Sequence, residues 1–281
     1  MDVQWSLLAP CAPKIPPACR TRRVSIMSNE EDDVDPIYGR EIYNYFGNRV
    51  VESRTSAGNL VAVKVKPREI KKAIRLEALM LKYASEQPSL LVPRYRGCYR
   101  VGKYNIVIVT DLVRGVSLDK AWHSMTKEQR DSIKTQLKEQ VQLFRRCTQP
   151  FIGRFGYHET SNFYERLGTG YEFMGPFETE EEFDNWCLER VRSSFSRALW
   201  KRLLPRMRES SDSNFVLTHC DLSARNIMVE DDKITGILDW EHSGFFPKYM
   251  EYATAMEICD GHEDWWRPAL KEILEPCGFL R

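Results

Sequence analysis

"LTHCDLSARNIMVEDDKITGILDW", residues 217–240, decides how the chain is read. Polar groups crowd its two ends, from His219 to Asn226 and again at Asp239, while the middle is apolar and broken by "EDDK". Ile227–Val229 and Ile234–Leu238 have the β-branched character of strands, and the polar tetrapeptide between them marks a hairpin turn. Pairing Val229 with Ile234 puts Asn226 opposite Ile237, so Asp239 lies two residues further along the partner strand. At about 3.3 Å per residue, that offset brings amide and carboxylate within reach of one shared ion.

An amide oxygen and a carboxylate are hard ligands suited to Mg2+, which takes a few protein oxygens together with waters and phosphate oxygens. Asp221 sits on the same loop five residues before Asn226, where a carboxylate orients a hydroxyl and accepts its proton. The order Asp, four residues, Asn, hairpin, Asp is also that of kinase catalytic loops, with the first Asp as base and the other two residues on metal. His219 reads as a hydrogen-bonded brace and Cys220 as a structural thiol, because the sequence offers no cation to lower its pKa. Taken singly, each polar residue is equally well explained as a turn or cap residue. Together and in order they describe a site.

The first half of the chain supplies a second signal. Val61, Val63 and Val65 alternate with Ala62 and Lys64, a strand with one buried face. The helix "REIKKAIRLEALMLKYASEQ" after it puts Ile70, Ile74, Glu77 and Leu81 on one face and Arg68, Lys71, Lys72, Arg75 and Lys82 on the other. A carboxylate in an apolar stripe requires a partner, and Lys64 is the nearest candidate in sequence. A strand Lys held by a helix Glu is the kinase device for contacting nucleotide phosphates; the plainer alternative is a Glu at the stripe's edge and a solvated Lys. "YFGNRVVESRTSAGN" contains Gly47 and Gly58 but no G-x-G-x-x-G, so no phosphate-cradling loop is legible.

Further strands fall at "NRVVES", "RYRGCYRV" and "YNIVIVTDLV", the last two joined at Gly102 and Lys103. After Gly115 the pattern turns helical. Ser117 caps "LDKAW", Thr126 and Gln129 form a capping box for a helix carrying Ile133, Leu137, Val141 and Phe144, and Thr179 with Glu182 opens another carrying Phe183, Cys187, Val191 and Phe195. The expected fold class is α+β and two-lobed, a small antiparallel-sheet lobe over 35–113 and a larger, mainly helical lobe over 114–281 that contains the catalytic hairpin. Residues 1–34, rich in Pro and running into the acidic stretch "NEEDDVD", are expected to be a disordered extension.

Composition excludes some partners. The 281 residues carry 41 Lys plus Arg against 40 Asp plus Glu, a net charge of +1, without the basic excess that a nucleic acid or anionic membrane requires. A small molecule is the expected partner. The eight cysteines include no C-x-x-C pair, as in a reduced, cytoplasmic protein. Prolines 10, 13, 16 and 17 interrupt any signal peptide, although Arg20, Arg22 and Arg23 leave a mitochondrial presequence open. No apolar run approaches membrane-spanning length.

"LTHCDLSARNIMVEDDKITGILDWEHSGFFPKYMEYA", with "GPFETEEEFDNW" ahead of it, resembles the catalytic segment of the aminoglycoside phosphotransferase and choline kinase-like superfamily, which has a protein kinase-like fold, and in particular its fungal branch. The resemblance is strong from Gly175 to Ala253, weaker from Ala62 to Leu118 and absent before Asp35. It implies that Asp221 is the catalytic base, that Asn226 and Asp239 bind Mg2+, and that Lys64 contacts ATP phosphate with Glu77 as partner. It also implies that "VTDLVRG" is a hinge whose backbone at Asp111 and Val113 edges the adenine. Cys220 stands where that family has glycine. Trp240 and Glu241 follow Asp239 in place of the Phe and Gly of protein kinases, and "PKYMEYA" leaves little room for an activation segment.

The expected activity is therefore transfer of the ATP γ-phosphoryl group to a hydroxyl of a small molecule. The alternatives are a weak or inactive nucleotide-binding pseudokinase or scaffold and, further off, a protein kinase. Two features touch the acceptor. Glu180–Glu182 would attract a cation but also suit the first turn of a helix. Trp240, Trp265, Trp266, Tyr249 and Tyr252 suit either an aromatic cage for a quaternary ammonium or core packing.

Overall fold

A computed structural model describes residues 37–45, 48–162, 172–207, 214–258 and 264–274. The expected disordered extension, Gly47, and Cys11, Cys19, Cys259 and Cys277 lie outside these residues. The chain has an α+β fold that divides into two compact units, one of residues up to Ile74 with Arg94–Leu112, the other of Arg75–Pro93 with Val113–Arg281.

The first unit is a five-stranded antiparallel sheet of β1 (Arg40–Tyr45), β2 (Asn48–Arg54), β3 (Leu60–Pro67), β4 (Tyr95–Val101) and β5 (Asn105–Asp111), in the order β1-β2-β3-β5-β4. The alternation in β3 does what its pattern demands, since Val61, Val63 and Val65 join Val51 and Val107 in the buried core. Lys64 takes the other face, paired with Val50 on β2 and Ile108 on β5. Strand β1 has no signature in the sequence comparable to the Val alternation of β3; it pairs with β2 through an irregular register between Glu41 and Tyr43.

Helix α1 (Lys71–Ser85) begins three residues after β3, behind a single 3-10 turn at Arg68–Ile70. Its basic residues are exposed, and Ile74, Glu77 and Leu81 are buried, with Glu77 only 4% exposed. The carboxylate does lie in the apolar stripe.

The second unit holds the remaining elements. These are β6 (Val116–Ser117), α2 (Leu118–Ala121), α3 (Lys127–Phe144), β7 (Thr148–Gln149), β8 (Thr160–Ser161), β9 (Phe173–Met174), α4 (Glu180–Glu189) and α5 (Ser194–Met207). Strands β10 (Phe215–Thr218), β11 (Ile227–Glu230), β12 (Lys233–Ile237) and β13 (Gly244–Phe246) and helices α6 (Met250–Ile258) and α7 (Arg267–Ile273) complete it. Thr126 and Gln129 form the reciprocal box at the start of α3, whose Ile133, Leu137, Val141 and Phe144 are buried as a stripe. Gly115 has φ +96°, and a Cβ there would lie 2.2 Å from the Val229 carbonyl oxygen. Glycine is what lets the chain enter β6 this close to β11.

Three helix expectations need correction. Ser117 occupies the cap position of α2 without a side-chain cap bond. Thr179 does accept from the Glu182 N–H, but the Glu182 carboxylate reaches Glu178 N and not its own cap residue, so the box is half formed. The helix it opens ends at Glu189, short of Val191 and Phe195 that its spacing placed on one face, and Phe195 is the second residue of α5 and 77% exposed.

Candidate active site

Strand β10 is buried along its whole length between β13 and β7 and delivers the chain into His219. His219 is fully buried. Its Nδ1 accepts from the Asp221 N–H at 3.2 Å, which leaves Nε2–H to donate to the Leu238 carbonyl at 2.9 Å. Both partners specify the neutral tautomer, and burial lowers the imidazole pKa in the same direction. The side chain is a brace between the turn and the hairpin.

Cys220 has φ +65° and no exposure. The left-handed region explains why a glycine suits this position. Here the conformation is held from outside the turn, because the Glu251 carboxylate on α6 accepts the His219 N–H at 2.7 Å and the Cys220 N–H at 3.0 Å. Glu251 is itself buried, and burial pushes its pKa up to about 7 against the opposing pull of those two N–H donors. Nothing in the sequence singles out Glu251, since its partners lie 32 and 31 residues away.

Asp221 follows, 8% exposed. Ser223 Oγ donates to its Oδ1, and Arg225 Nη2 lies 3.5 Å from its Oδ2. The Trp266 indole N–H donates to the Leu222 carbonyl at 2.9 Å, tying the middle of the turn to the core. Asn226 donates its Nδ2 to the Asp221 carbonyl at 3.1 Å, which leaves the amide oxygen for a cation.

The hairpin forms with a two-residue turn at Asp231 and Asp232, both at positive φ as a type I′ turn requires. Val229 does pair with Ile234, but a bulge at the next step pairs Met228 with Gly236 and Ile227 with Ile237. The extra residue, Thr235, moves the register by one. Asn226 is therefore opposite Leu238, whose N–H donates to the Asn226 carbonyl at 2.7 Å, and not opposite Ile237. Asp239 is thus one residue from that pairing where an unbulged ladder would make it two.

Asp239 has φ +65° and ψ +68° and begins a 3-10 turn over Trp240–His242. Trp240 is buried within it, donating to the Ile237 carbonyl and packing edge-on against His219. One carboxylate oxygen each from Glu77, Asp239 and Glu241 lie within 4.8 Å of one another. Glu77 reaches this cluster because the second half of α1 is seated in this unit, where Tyr83 stacks on Phe155 and packs edge-on against Phe245.

Arg154 stands beside the cluster, 1% exposed. Its backbone pairs with His158, and Gly153 pairs with Phe245, so the segment is fixed on two sides. Its Nη2 donates to Ser161 Oγ and to the Glu241 carbonyl. Burial lowers the guanidinium pKa to about 10, opposed by the charges of Glu77, Cys220 and Glu241, so it is a cation at neutral pH. The sequence names Glu241 only as a departure from protein kinases, and gives no role to it or to Arg154; the spacing Asp-Trp-Glu could have suggested the first, and nothing local marks the second.

The second unit therefore brings together Asp221, Asn226 and Asp239 on one turn and one hairpin, and adds Glu77. Lys64 and Asp111 belong to the first unit. Asp111 closes β5, with its N–H donated to the Arg94 carbonyl and its carboxylate in a two-point contact with Arg96 at 2.6 and 3.1 Å. Val113 opens the second unit; a Cβ on Gly236 would meet its Cγ1 at 2.8 Å. Trp240 and Trp266 are buried and give their N–H groups to backbone carbonyls, while Trp265 packs on Trp122 and His123. Packing accounts for these three indoles.

No curated protein sequence matches the chain. Among solved structures, a thermostable mutant of aminoglycoside phosphotransferase APH(4)-Ia in ternary complex with ADP and hygromycin B aligns with a TM-score of 0.54 and 14% identity, over 83% of this chain and 75% of that one. A putative fructosamine-3-kinase from Thermobifida fusca aligns with a TM-score of 0.56 and 16% identity, over 83% and 78%. At these identities the likeness is one of fold. The sequence profile of the phosphotransferase enzyme family matches residues 40–275, and the chain belongs to that family.

Proposed function

We propose that the protein transfers the γ-phosphoryl group of ATP to a hydroxyl of a small molecule, with Asp221 as base and with Asn226 and Asp239 as ligands of Mg2+. The observation that carries this reading is the bulged hairpin, which brings the Asn226 pairing to within one residue of Asp239 while Asp221 stays on the adjoining turn. The donor set fits the ion: an amide oxygen and a carboxylate oxygen are hard ligands. When bound, Mg2+ neutralises charge on the phosphates.

The chain's own residues do the rest. Ser223 donates to one Asp221 oxygen and Arg225 stands 3.5 Å from the other, so both fix the carboxylate that is assigned the acceptor's proton. The acceptor oxygen bonds to the γ-phosphorus as the bond to the β–γ bridging oxygen breaks, ADP leaves, and the acceptor's proton passes to Asp221. His219, neutral and fully engaged, takes no proton. Lys64 is assigned to the nucleotide phosphates with Glu77 as its carboxylate, and the backbone at Asp111 and Val113 to the adenine, with 35–113 serving the nucleotide and 114–281 the acceptor. The ADP bound to a phosphotransferase of the same fold supports a nucleotide donor. Cys220 is accommodated, because Glu251 holds its backbone in the region glycine would favour.

A coupled ATP-turnover assay over a panel of hydroxylated acceptors tests the reading. Asp221→Asn should lower turnover by at least about a hundredfold. Unchanged turnover would remove Asp221 from the chemistry, and nucleotide binding with no turnover for any acceptor would mark a scaffold instead.

A further inference from the structure

We propose that Arg154 is a positioning residue of the cation site: its buried guanidinium is a counter-charge that keeps Glu77, Asp239 and Glu241 gathered before a divalent ion arrives, and so sets how tightly the ion binds. The proposal rests on the reading of Asp239 as a metal ligand. Three carboxylates with oxygens within 4.8 Å of one another repel. Buried charge of one sign persists only where the opposite sign is supplied nearby.

Arg154 meets that need from a place nothing else explains. Its Nε and Nη1 are buried without a hydrogen-bond partner, an expensive state for a cation. The charges of Glu77 and Glu241 act directly on the guanidinium, and its remaining nitrogen holds the Glu241 carbonyl. The paired backbone at Gly153 and Arg154 fixes where the side chain starts, and Ser161 and the Glu241 carbonyl hold its far end at 1% exposure. Arg154 and the ion therefore act on the same carboxylates, and removing the first should strengthen the pull on the second.

The test is a thermal-shift titration with Mg2+ and with Mn2+, without nucleotide, on the full chain and its Arg154→Met and Arg154→Lys variants. The Met variant should melt lower in the absence of ion, bind the ion at least about tenfold more tightly, and gain more in Tm on adding it than the wild type does. The Lys variant, which keeps the charge, should follow the wild type. If Arg154 only fills space, both variants melt lower with an unchanged ion-induced gain, and that result overturns the proposal. Should Arg154→Met not fold, the double variant Glu77→Gln/Arg154→Met drops one charge of each sign and should bind the ion with near wild-type affinity; a tenfold change there also overturns it. A wild type whose Tm does not respond to either ion refutes the proposal whatever the turnover assay gives. An ion response with the expected Arg154 dependence but no phosphoryl transfer upholds it and removes the catalytic reading alone.

Discussion

Glu251→Gln separates the two things Glu251 does, accepting hydrogen bonds and carrying a buried charge. In the wild type one carboxylate accepts from both His219 and Cys220 N–H. The Gln amide offers a single oxygen, and its NH2 faces a donor, so one buried N–H loses its acceptor at a cost of about 1–3 kcal/mol. The charge works the other way. Burial raises the folded-state pKa from 4.5 to about 7, so between those values the native protein binds the proton more tightly than the unfolded chain. Wild-type stability from this group is fully present below about 4.5 and declines as pH rises through about 7, by about 3 kcal/mol in all. Glutamine does not titrate. The deficit of Glu251→Gln should therefore be largest near pH 4.5 and shrink by about 3 kcal/mol by pH 8. Urea denaturation of both proteins across that range measures it, and the other titrating groups cancel in the difference. A deficit that stays constant or grows with pH would refute the assignment of a raised Glu251 pKa.

Two further outcomes follow from backbone geometry. Gly115→Ala places a Cβ 2.2 Å from the Val229 carbonyl oxygen at φ +96°; it should cost on the order of 3 kcal/mol and lower Tm by roughly 10 °C, as read by circular dichroism. Asp239→Asn keeps a side chain that tolerates the left-handed φ of +65°, so its stability should change by less than about 1 kcal/mol while divalent-dependent turnover falls at least about a hundredfold. A melt that drops sharply would show that Asp239 serves the fold, not the ion.

What could be read from the chain followed periodicity. The Val alternation of β3, the Glu77 position in the stripe of α1 and the capping box of α3 are local patterns, and each is present. The hairpin was legible in its turn and first pair, but a bulge leaves no local signature: Thr235 is an ordinary strand residue until the partner strand fixes which residue is extra. Phe195 misled because spacing alone carries a helix past its end at Glu189. Arg154 and Glu251 were hidden for another reason. A buried charge is defined by partners distant in sequence, and Arg154 meets Glu241 across 87 positions. Cys220 lies between these cases: its departure from glycine was visible, whereas the carboxylate that makes it tolerable was not.

The dependence of the His219–Cys220 turn on Glu251 also has an order in time. When Trp240 has just been added to the growing chain, every group of the turn and the hairpin is present, yet the oxygen atoms that hold the two N–H groups belong to a residue more than ten positions further on. Synthesis from the N-terminus thus adds the residues of the hairpin before the clasp that holds the His219–Cys220 turn. A chain that ended between Trp240 and Glu251 would carry Asp221, Asn226 and Asp239 in order and still lack the carboxylate that clasps the His219–Cys220 turn.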